Sequence, residues 1–466
     1  MLNTLNSSTD TIAAIATPPG TGAIAVIRIS GPEAFSVADR VFFSRKGNTG
    51  TAATHSALFG VIRSAEAVVD EVLALVMRGP NSFTGEDTVE FSCHGSPFIQ
   101  NAIMNLLLAR GARAAQPGEF TMRAFMNRKL DLAQAEAVAD VIAADSAASH
   151  ELAMKQMRGG FSKEIHALRE KLIHFASLLE LELDFAEEDV EFADRSQLIG
   201  LIDETVAHIR KLSDSFEQGN VIKSGIPVAI AGKPNVGKST LLNLILNEER
   251  AIVSDIAGTT RDTIEEEIFL GGIKYRFIDT AGIRETTDTI EKIGVGRSLE
   301  KISEARVIIY LFDPGETQPD ELQKILDEIT AIKSGQKHIL IPVANKADKY
   351  NQDYLNDLFS PVPDVIFISA KEHKGINELF SRITGESSHA GLGTQDIILT
   401  NARHKESLDH TAEALNNART GLTSGLATDL VAIEIRSALM HLGSITGEIT
   451  TDDLLESIFT RFCIGK

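Results

Sequence analysis

The chain has 466 residues, enough for two to four domains with several cores. Lys and Arg number 45 against 65 Asp and Glu, a net charge of −20, which excludes a general nucleic-acid coat and confines any RNA contact to a local basic patch or a partner. Two cysteines at no metal-ligand spacing, Cys93 and Cys463, fit a reducing cytoplasm; no apolar run approaches the roughly 18 residues of a membrane span, and residues 1–10 lack the pattern of a secretory signal.

Residues 1–125 read as an α+β domain. Residues 23–30 form a strand after the turn Pro18-Pro19-Gly20, and 72–77 form a second, closed by Gly79-Pro80-Asn81. Residues 88–94 alternate, with Val89, Phe91 and Cys93 on one face and Glu90, Ser92 and His94 on the other. Arg28 and Glu90 are then charged groups on strands that bury one side. They either face solvent, pair with each other, or line a polar pocket.

Residues 126–221 change to long helices. Ile165, Leu168, Leu172, Phe175 and Leu179 step by three and four, the stripe of a bundle core. The stretch 180–194 carries eight carboxylates and no basic residue and reads as a solvated face rather than a metal site. A further helix over 197–218 leads to the next domain.

Residues 222–384 carry the chemistry. An apolar strand over 226–231 runs into Gly232-Lys233-Pro234-Asn235-Val236-Gly237-Lys238-Ser239, and a helix over 240–247 follows. Strand, glycine loop and helix are the setting of a phosphate loop. Its backbone amides, with Asn235, Val236, Gly237 and Thr240 on its rim, turn toward phosphates, Lys238 reaches the terminal ones, and the Ser239 hydroxyl ligates Mg²⁺. Asp279-Thr280-Ala281-Gly282 follows a strand ending at Ile278, where the acid serves the Mg²⁺ shell and the Gly282 amide the γ-phosphate. Asn345-Lys346-Ala347-Asp348 follows the strand over 338–344, and Asp348 can accept both donors of the guanine edge, which adenine lacks. Ser369-Ala370-Lys371 follows the strand over 365–368 and offers amides to the guanine carbonyl. Four motifs in this order, each after a strand, predict a GTP-binding domain with a mostly parallel sheet.

Between the first two motifs, Thr260 is the expected switch hydroxyl on Mg²⁺. Ras-type GTPases place a glutamine where Ile283 stands, and isoleucine cannot orient a water. Glu285 and Glu291 are the candidates for that task, and both also read as surface acids. The domain ends with a helix bearing Ile376, Leu379, Phe380 and Ile383, with Gly385 as its expected cap. Helical pattern resumes over 385–466, so both flanks are expected to pack as one helical domain with the nucleotide domain inserted. Its last helix opens on Thr450 and Asp453 as a capping box and ends at Cys463-Ile464-Gly465-Lys466. Lys at the last position fits prenylation poorly. Cys463 reads as structural or, beside that lysine, as a thiol of lowered pKa.

This combination resembles the MnmE (TrmE) family of tRNA-modification GTPases, of the TrmE-Era-EngA group. The resemblance rests on the inserted GTPase together with Thr17-Pro18-Pro19-Gly20, Gly79 to Asp87, Pro117-Gly118-Glu119-Phe120, Lys129 to Glu136 and the Cys-Ile-Gly-Lys tail. It implies a homodimer formed by the N-terminal domain. It implies work with the flavoprotein MnmG, which would carry FAD and use NADH, at C5 of the wobble uridine of tRNA. It implies a tetrahydrofolate derivative held by Arg28, Glu90, Lys129 and Lys466, which favours the pocket reading of the first two. It further implies K⁺ bound by Asn235, Ser254, Ile256 and Thr259, Glu291 as the residue orienting water, and Arg284 supporting it. A ribosome-assembly GTPase without modification chemistry is the alternative, but it would usually add a basic module that the charge balance does not show.

Overall fold

The computed structural model describes residues 10–65, 67–184, 195–249, 266–278, 302–333, 338–388, 398–460 and 462–465. Most of the acidic stretch, 185–194, lies outside them. Contacts divide the chain into two units. One takes in Met1–Ala143, Ala153–Arg210 and Arg403–Lys466; the other takes in Ala144–Leu152 and Lys211–Ala402.

The first unit begins with a seven-stranded sheet of β1 (Ile12–Ile15), β2 (Ile24–Ser30), β3 (Phe42–Phe43), β4 (Ser56–Arg63), β5 (Val68–Met77), β6 (Thr88–His94) and β7 (Arg113–Ala114). Their order is β3-β4-β5-β6-β2-β1-β7, antiparallel except where β7 joins β1. The alternation of β6 survives in three dimensions: Val89, Phe91 and Cys93 are buried under the helices Ala34–Asp39 and Pro97–Ala109, with Ile27, Ile29, Ile103 and Leu107. Each such aliphatic or aromatic side chain contributes about 1.5–3 kcal/mol by leaving water. Arg28 and Glu90 face each other across β2 and β6, on the opposite side.

The same unit holds a helical part. Ile165, Leu168, Leu172 and Leu179 of the helix Gly160–Asp184 are buried as their spacing predicts, with Phe175 half-buried. The chain returns from the second unit at the helix Ala402–Ser424, whose first turn is clamped to the helix Leu132–Ala143. Arg403 donates to both Glu136 oxygens at 3.0 and 2.8 Å, and the His404 ring lies 2.6 Å from Glu136 Oε2. Hydrogen bonds from the His404 ring and the Arg403 guanidinium hold the buried Glu136 carboxyl at about 2 against the cost of its burial.

The second unit carries β8 (Ile226–Ala231), β9 (Glu266–Leu270), β10 (Ile273–Phe277), β11 (Val307–Phe312), β12 (Ile339–Ala344) and β13 (Ile366–Phe367). Their order is β13-β12-β11-β8-β10-β9, parallel except for the β9–β10 hairpin. All six residues of β11 are apolar and buried, because a central parallel strand is covered on both faces. Separate apolar clusters form the two sides. The segment 144–152 belongs here because the Asp145 carboxylate accepts from Lys274 Nζ of β10 at 2.7 Å.

Three local expectations are corrected. Gly385 does not cap its helix, which runs Ile376–Ser388; among the described residues no heavy atom lies within 4 Å of where a Cβ would stand there, and the glycine carries a helix penalty of about 1 kcal/mol. The last helix is capped by Thr451, not Thr450: Thr451 has the extended backbone a cap needs, and its hydroxyl accepts from Leu454 N. The helix expected over 197–218 is two, Arg195–Asp214 and Phe216–Ser224. The break falls at Ser215, whose hydroxyl donates to Leu212 O and accepts from Leu399 N.

Candidate functional site

The phosphate loop lies between β8 and the helix Lys238–Glu249, at the carboxyl ends of the parallel strands, where open α/β sheets bind ligands. Two glycines are demanded by close approach. A Cβ at Gly232 would stand 2.1 Å from Leu311 O, and one at Gly237 would stand 2.3 Å from Asn345 Nδ2. Asn235 adopts φ 63°, a left-handed conformation that asparagine tolerates, at the exposed outer bend. Val236 is buried, Ser239 half-buried and Thr240 exposed.

Lys238 folds back over this loop and donates to Gly232 O at 2.7 Å and Lys233 O at 2.8 Å. Its ammonium is partly desolvated, which lowers its pKa. Among the described residues only carbonyl dipoles answer that charge. A cation so placed, at the start of the helix Lys238–Glu249, is built to take a polyanion.

Three loops are tied together by one side chain. Asn345, 4% exposed, donates from Nδ2 to Val236 O at 2.8 Å, and its Oδ1 accepts from Ala370 N at 3.0 Å. The phosphate loop, the Asn345-Lys346-Ala347-Asp348 loop and the Ser369-Ala370-Lys371 loop therefore hold a common geometry. Ser369 and Ala370 are buried and Lys371 is exposed. Asp348 is exposed, and the Ser369 hydroxyl beside it keeps its carboxyl ionised below the ordinary range. An ionised, accessible carboxylate is what a base edge with two donors requires.

Sequence reasoning missed Asp313, which follows β11. It is 4% exposed, and its carboxylate pairs with Lys346 Nζ at 2.9 Å. Its only sequence signal is a lone acid at a strand end, like any turn residue.

Ser254, Ile256, Thr259, Thr260, Asp279, Thr280, Ala281, Gly282, Arg284, Glu285 and Glu291 lie outside the described residues, as does Lys466.

In the first unit, Arg28 Nε donates to Glu90 Oε1 at 2.7 Å, with side chains 16% and 21% exposed. The guanidinium lies 5.4 Å from the centre of the Phe120 ring and 5.6 Å from that of Phe83, in cation–π range of both. Lys129, exposed, donates to Pro80 O at 2.9 Å. The chain end docks nearby. Ile464 bridges Pro117, Gly118 N donates to Cys463 O at 3.4 Å, and a Cβ on Gly465 would stand 2.5 Å from Ile15 O of β1, the strand that pairs with β2. Cys463 is exposed. Arg28, Glu90 and the tail thus belong to one neighbourhood.

Behind it lies a cluster that the sequence did not reveal. Asp10 bonds both Arg113 and Arg123 at 2.6 Å, Glu119 bonds Arg113 at 2.6 Å and Arg123 at 3.0 Å, and Arg123 reaches Glu86 at 3.3 Å. Glu86 in turn accepts from Ser30 Oγ at 2.8 Å. The cluster fixes the loop bearing Phe83 to the helix Glu119–Met126 bearing Phe120, and so shapes the walls around Arg28.

Comparison with known proteins agrees with both regions. A family described as the MnmE helical domain matches residues 132–463, and one described as the GTP-binding protein TrmE N-terminus matches residues 11–129. A protein of Cytophaga hutchinsonii called tRNA modification GTPase MnmE is 54% identical over 463 residues, covering 99% of each chain. One of the same name from Christiangramia forsetii is 52% identical over 471 residues, covering 98% of this chain and 99% of its own. Among solved structures, an Aquifex aeolicus Era variant bound to GDP·AlF4⁻ is 27% identical over 40% of this chain and 66% of its own, at a TM-score of 0.27, an overlap too slight to bear on the fold. The chain is therefore a GTP-hydrolysing enzyme, and it belongs to the family of tRNA modification GTPases called MnmE.

Proposed function

We propose that this GTPase acts on tRNA, at C5 of the wobble uridine, as a homodimer working with the flavoprotein MnmG and a one-carbon unit from a tetrahydrofolate derivative. The observation that carries the reading beyond GTP hydrolysis is the Arg28–Glu90 pair, half-buried between Phe83 and Phe120 beside the docked chain end. Aromatic walls suit a flat heterocycle. Arg28, Lys129 and Lys466 suit the carboxylates of a folate tail. The outer face of the sheet supports the dimer, since Phe59 is 61% exposed and Leu73, its register partner, 44%.

In the second unit, Lys238 and the loop amides take the phosphates, and Asp348, exposed at the Asn345-Lys346-Ala347-Asp348 loop, takes the two donors of the guanine edge. Mg²⁺ would be held by the hard oxygens of Ser239 and Thr260, with Asp279 supporting its shell, and K⁺ by Asn235 with oxygens of Ser254, Ile256 and Thr259. When bound, each cation supplies positive charge where phosphoryl transfer develops negative charge. The exposed amide of Asn235, at the outer bend, fits that role. Glu291 would orient water, with Arg284 in support.

Nucleoside mass spectrometry tests the reading. A bacterium lacking its own copy, complemented with this gene, should regain C5-modified wobble uridine in bulk tRNA. Unmodified tRNA beside active GTP hydrolysis and a native MnmG would instead favour a regulatory GTPase. Asp348→Asn should move nucleotide preference from GTP to XTP; retained preference for GTP would remove the base-reading assignment.

A further inference from the structure

Asp313 does no work in the mechanism above, yet it is a buried carboxylate set between two nucleotide loops. It stands one residue beyond β11, beside Asn345 and Lys346 at the end of the neighbouring β12, and Asn345 N donates to Phe312 O at 2.8 Å. One oxygen accepts from Gly315 N at 3.0 Å, and the other meets Lys346 Nζ at 2.9 Å. The turn holding Gly315 is itself fixed, because the Tyr350 hydroxyl packs where a Cβ on Gly315 would stand. Asp313 is therefore a rigid anchor rather than a mobile surface acid.

Its partner carries a second signal. Lys346 has φ 65° and ψ 27°, a left-handed backbone that a lysine adopts only under compulsion from its surroundings. The flanking groups supply that compulsion. Asn345 is held to Val236 and Ala370, and Ala347 N donates to Ile368 O at 3.0 Å. With its backbone so turned, Lys346 has its ammonium on Asp313 while its own peptide begins the turn that carries Asp348, two residues on.

We propose that Asp313 is a positioning residue for guanine-nucleotide binding: it anchors the Lys346 ammonium, and through it fixes the loop that presents Asp348 to the base. The inference rests on the assignment of the Asn345-Lys346-Ala347-Asp348 loop as the base reader. Lys346 and the Gly315 amide keep the Asp313 carboxyl below its ordinary range despite burial, with Lys349 adding to the effect, so the anchor is charged throughout the neutral range.

The test is a double-mutant cycle in the full chain with Mg²⁺ present, read by titration with GDP and by steady-state GTP hydrolysis. Asp313→Asn should weaken GDP binding and raise KM for GTP about tenfold, with kcat at saturation within about twofold. Lys346→Ala should weaken binding at least as much, and adding Asp313→Asn to it should cost less than about twofold more, because the two act as one. A full additional tenfold loss in the double variant, or unchanged affinity in Asp313→Asn alone, overturns the inference. Should Asp313→Asn fail to fold, Asp313→Ser, which keeps an acceptor for Gly315 without the charge, carries the same expectation. The base-reading assignment falls separately, on the nucleotide preference of Asp348→Asn. A cycle that couples while that preference stays with GTP would detach Asp313 and Lys346 from base reading and so overturn the inference as stated.

Discussion

The two charged regions of this protein are built on opposite plans. In the second unit, Lys238 is partly desolvated and answered, among the described residues, by the carbonyls of Gly232 and Lys233. In the first, Arg113 and Arg123 are answered by the carboxylates of Asp10, Glu86 and Glu119. Among the described residues, one site leaves a cation short of anions, while the other saturates its cations internally. The difference separates a place where charge waits for a ligand from a place where charge holds the fold.

The largest expected effect attacks the saturated side. Arg123→Met leaves Asp10, Glu86 and Glu119 without the cation common to all three. Removing one partner of a buried ionic network costs about 3–5 kcal/mol. The urea midpoint of the full chain should fall accordingly, while GDP affinity of the folded fraction stays unchanged. A loss below about 1 kcal/mol would show the cluster to be solvated and the contrast to be false.

Next comes the unsaturated side. Lys238→Ala should reduce GTP turnover about 100-fold or more, the usual cost of one preorganised electrostatic donor. Its melting temperature without nucleotide should hold or rise, because a charge burdened by burial is gone. A marked fall in melting temperature together with intact turnover would reverse the roles of the two regions.

A third variant probes charge used for assembly within the first unit. Glu136 sits at about 2 in the folded state against an ordinary glutamate near 4.5. A depressed carboxyl stabilises fully above its unfolded pKa and loses that contribution as pH falls toward its folded one. Glu136→Gln should therefore cost about 3 kcal/mol at pH 7, and the gap between variant and parent should close between pH 4.5 and about 2. Urea melts at three pH values decide it; a gap that does not change with pH would assign the cost to packing alone.

These regions also differ in how far the sequence exposed them. The phosphate loop, Asp348 and Ser369-Ala370-Lys371 were legible because each is a short contiguous segment at a strand end, and contiguity is what a sequence shows. Buried faces such as Val89, Phe91 and Cys93 were legible from a period of two. The Asp10–Arg113 pair spans 103 residues and the Arg403–Glu136 clamp 267, and no local pattern announces either. Asp313 was missed for the same reason: its meaning lies in Lys346, in the loop after the neighbouring strand β12. Thr450 and Thr451 are both plausible caps by type, and only the extended backbone at Thr451 chooses between them. Arg28 and Glu90 stood out as odd residues, but that they pair on a wall of two phenylalanines depends on the loop carrying Phe83.

The smallest effect tests the place where the two plans meet. Arg28 is paired, as in the saturated cluster, yet among the described residues Glu90 is its one carboxylate partner. One pair carries less of the fold than a cluster of five charged groups, so Arg28→Gln should lose clearly less stability than Arg123→Met. It should nonetheless weaken binding of a reduced folate about tenfold, since a guanidinium held between two rings can also accept a ligand carboxylate. Titration of the full chain with 5-formyltetrahydrofolate reads this directly. Unchanged affinity with a lowered melting temperature would move Arg28 to the side of Arg123, as a group that builds the wall rather than one that faces the ligand.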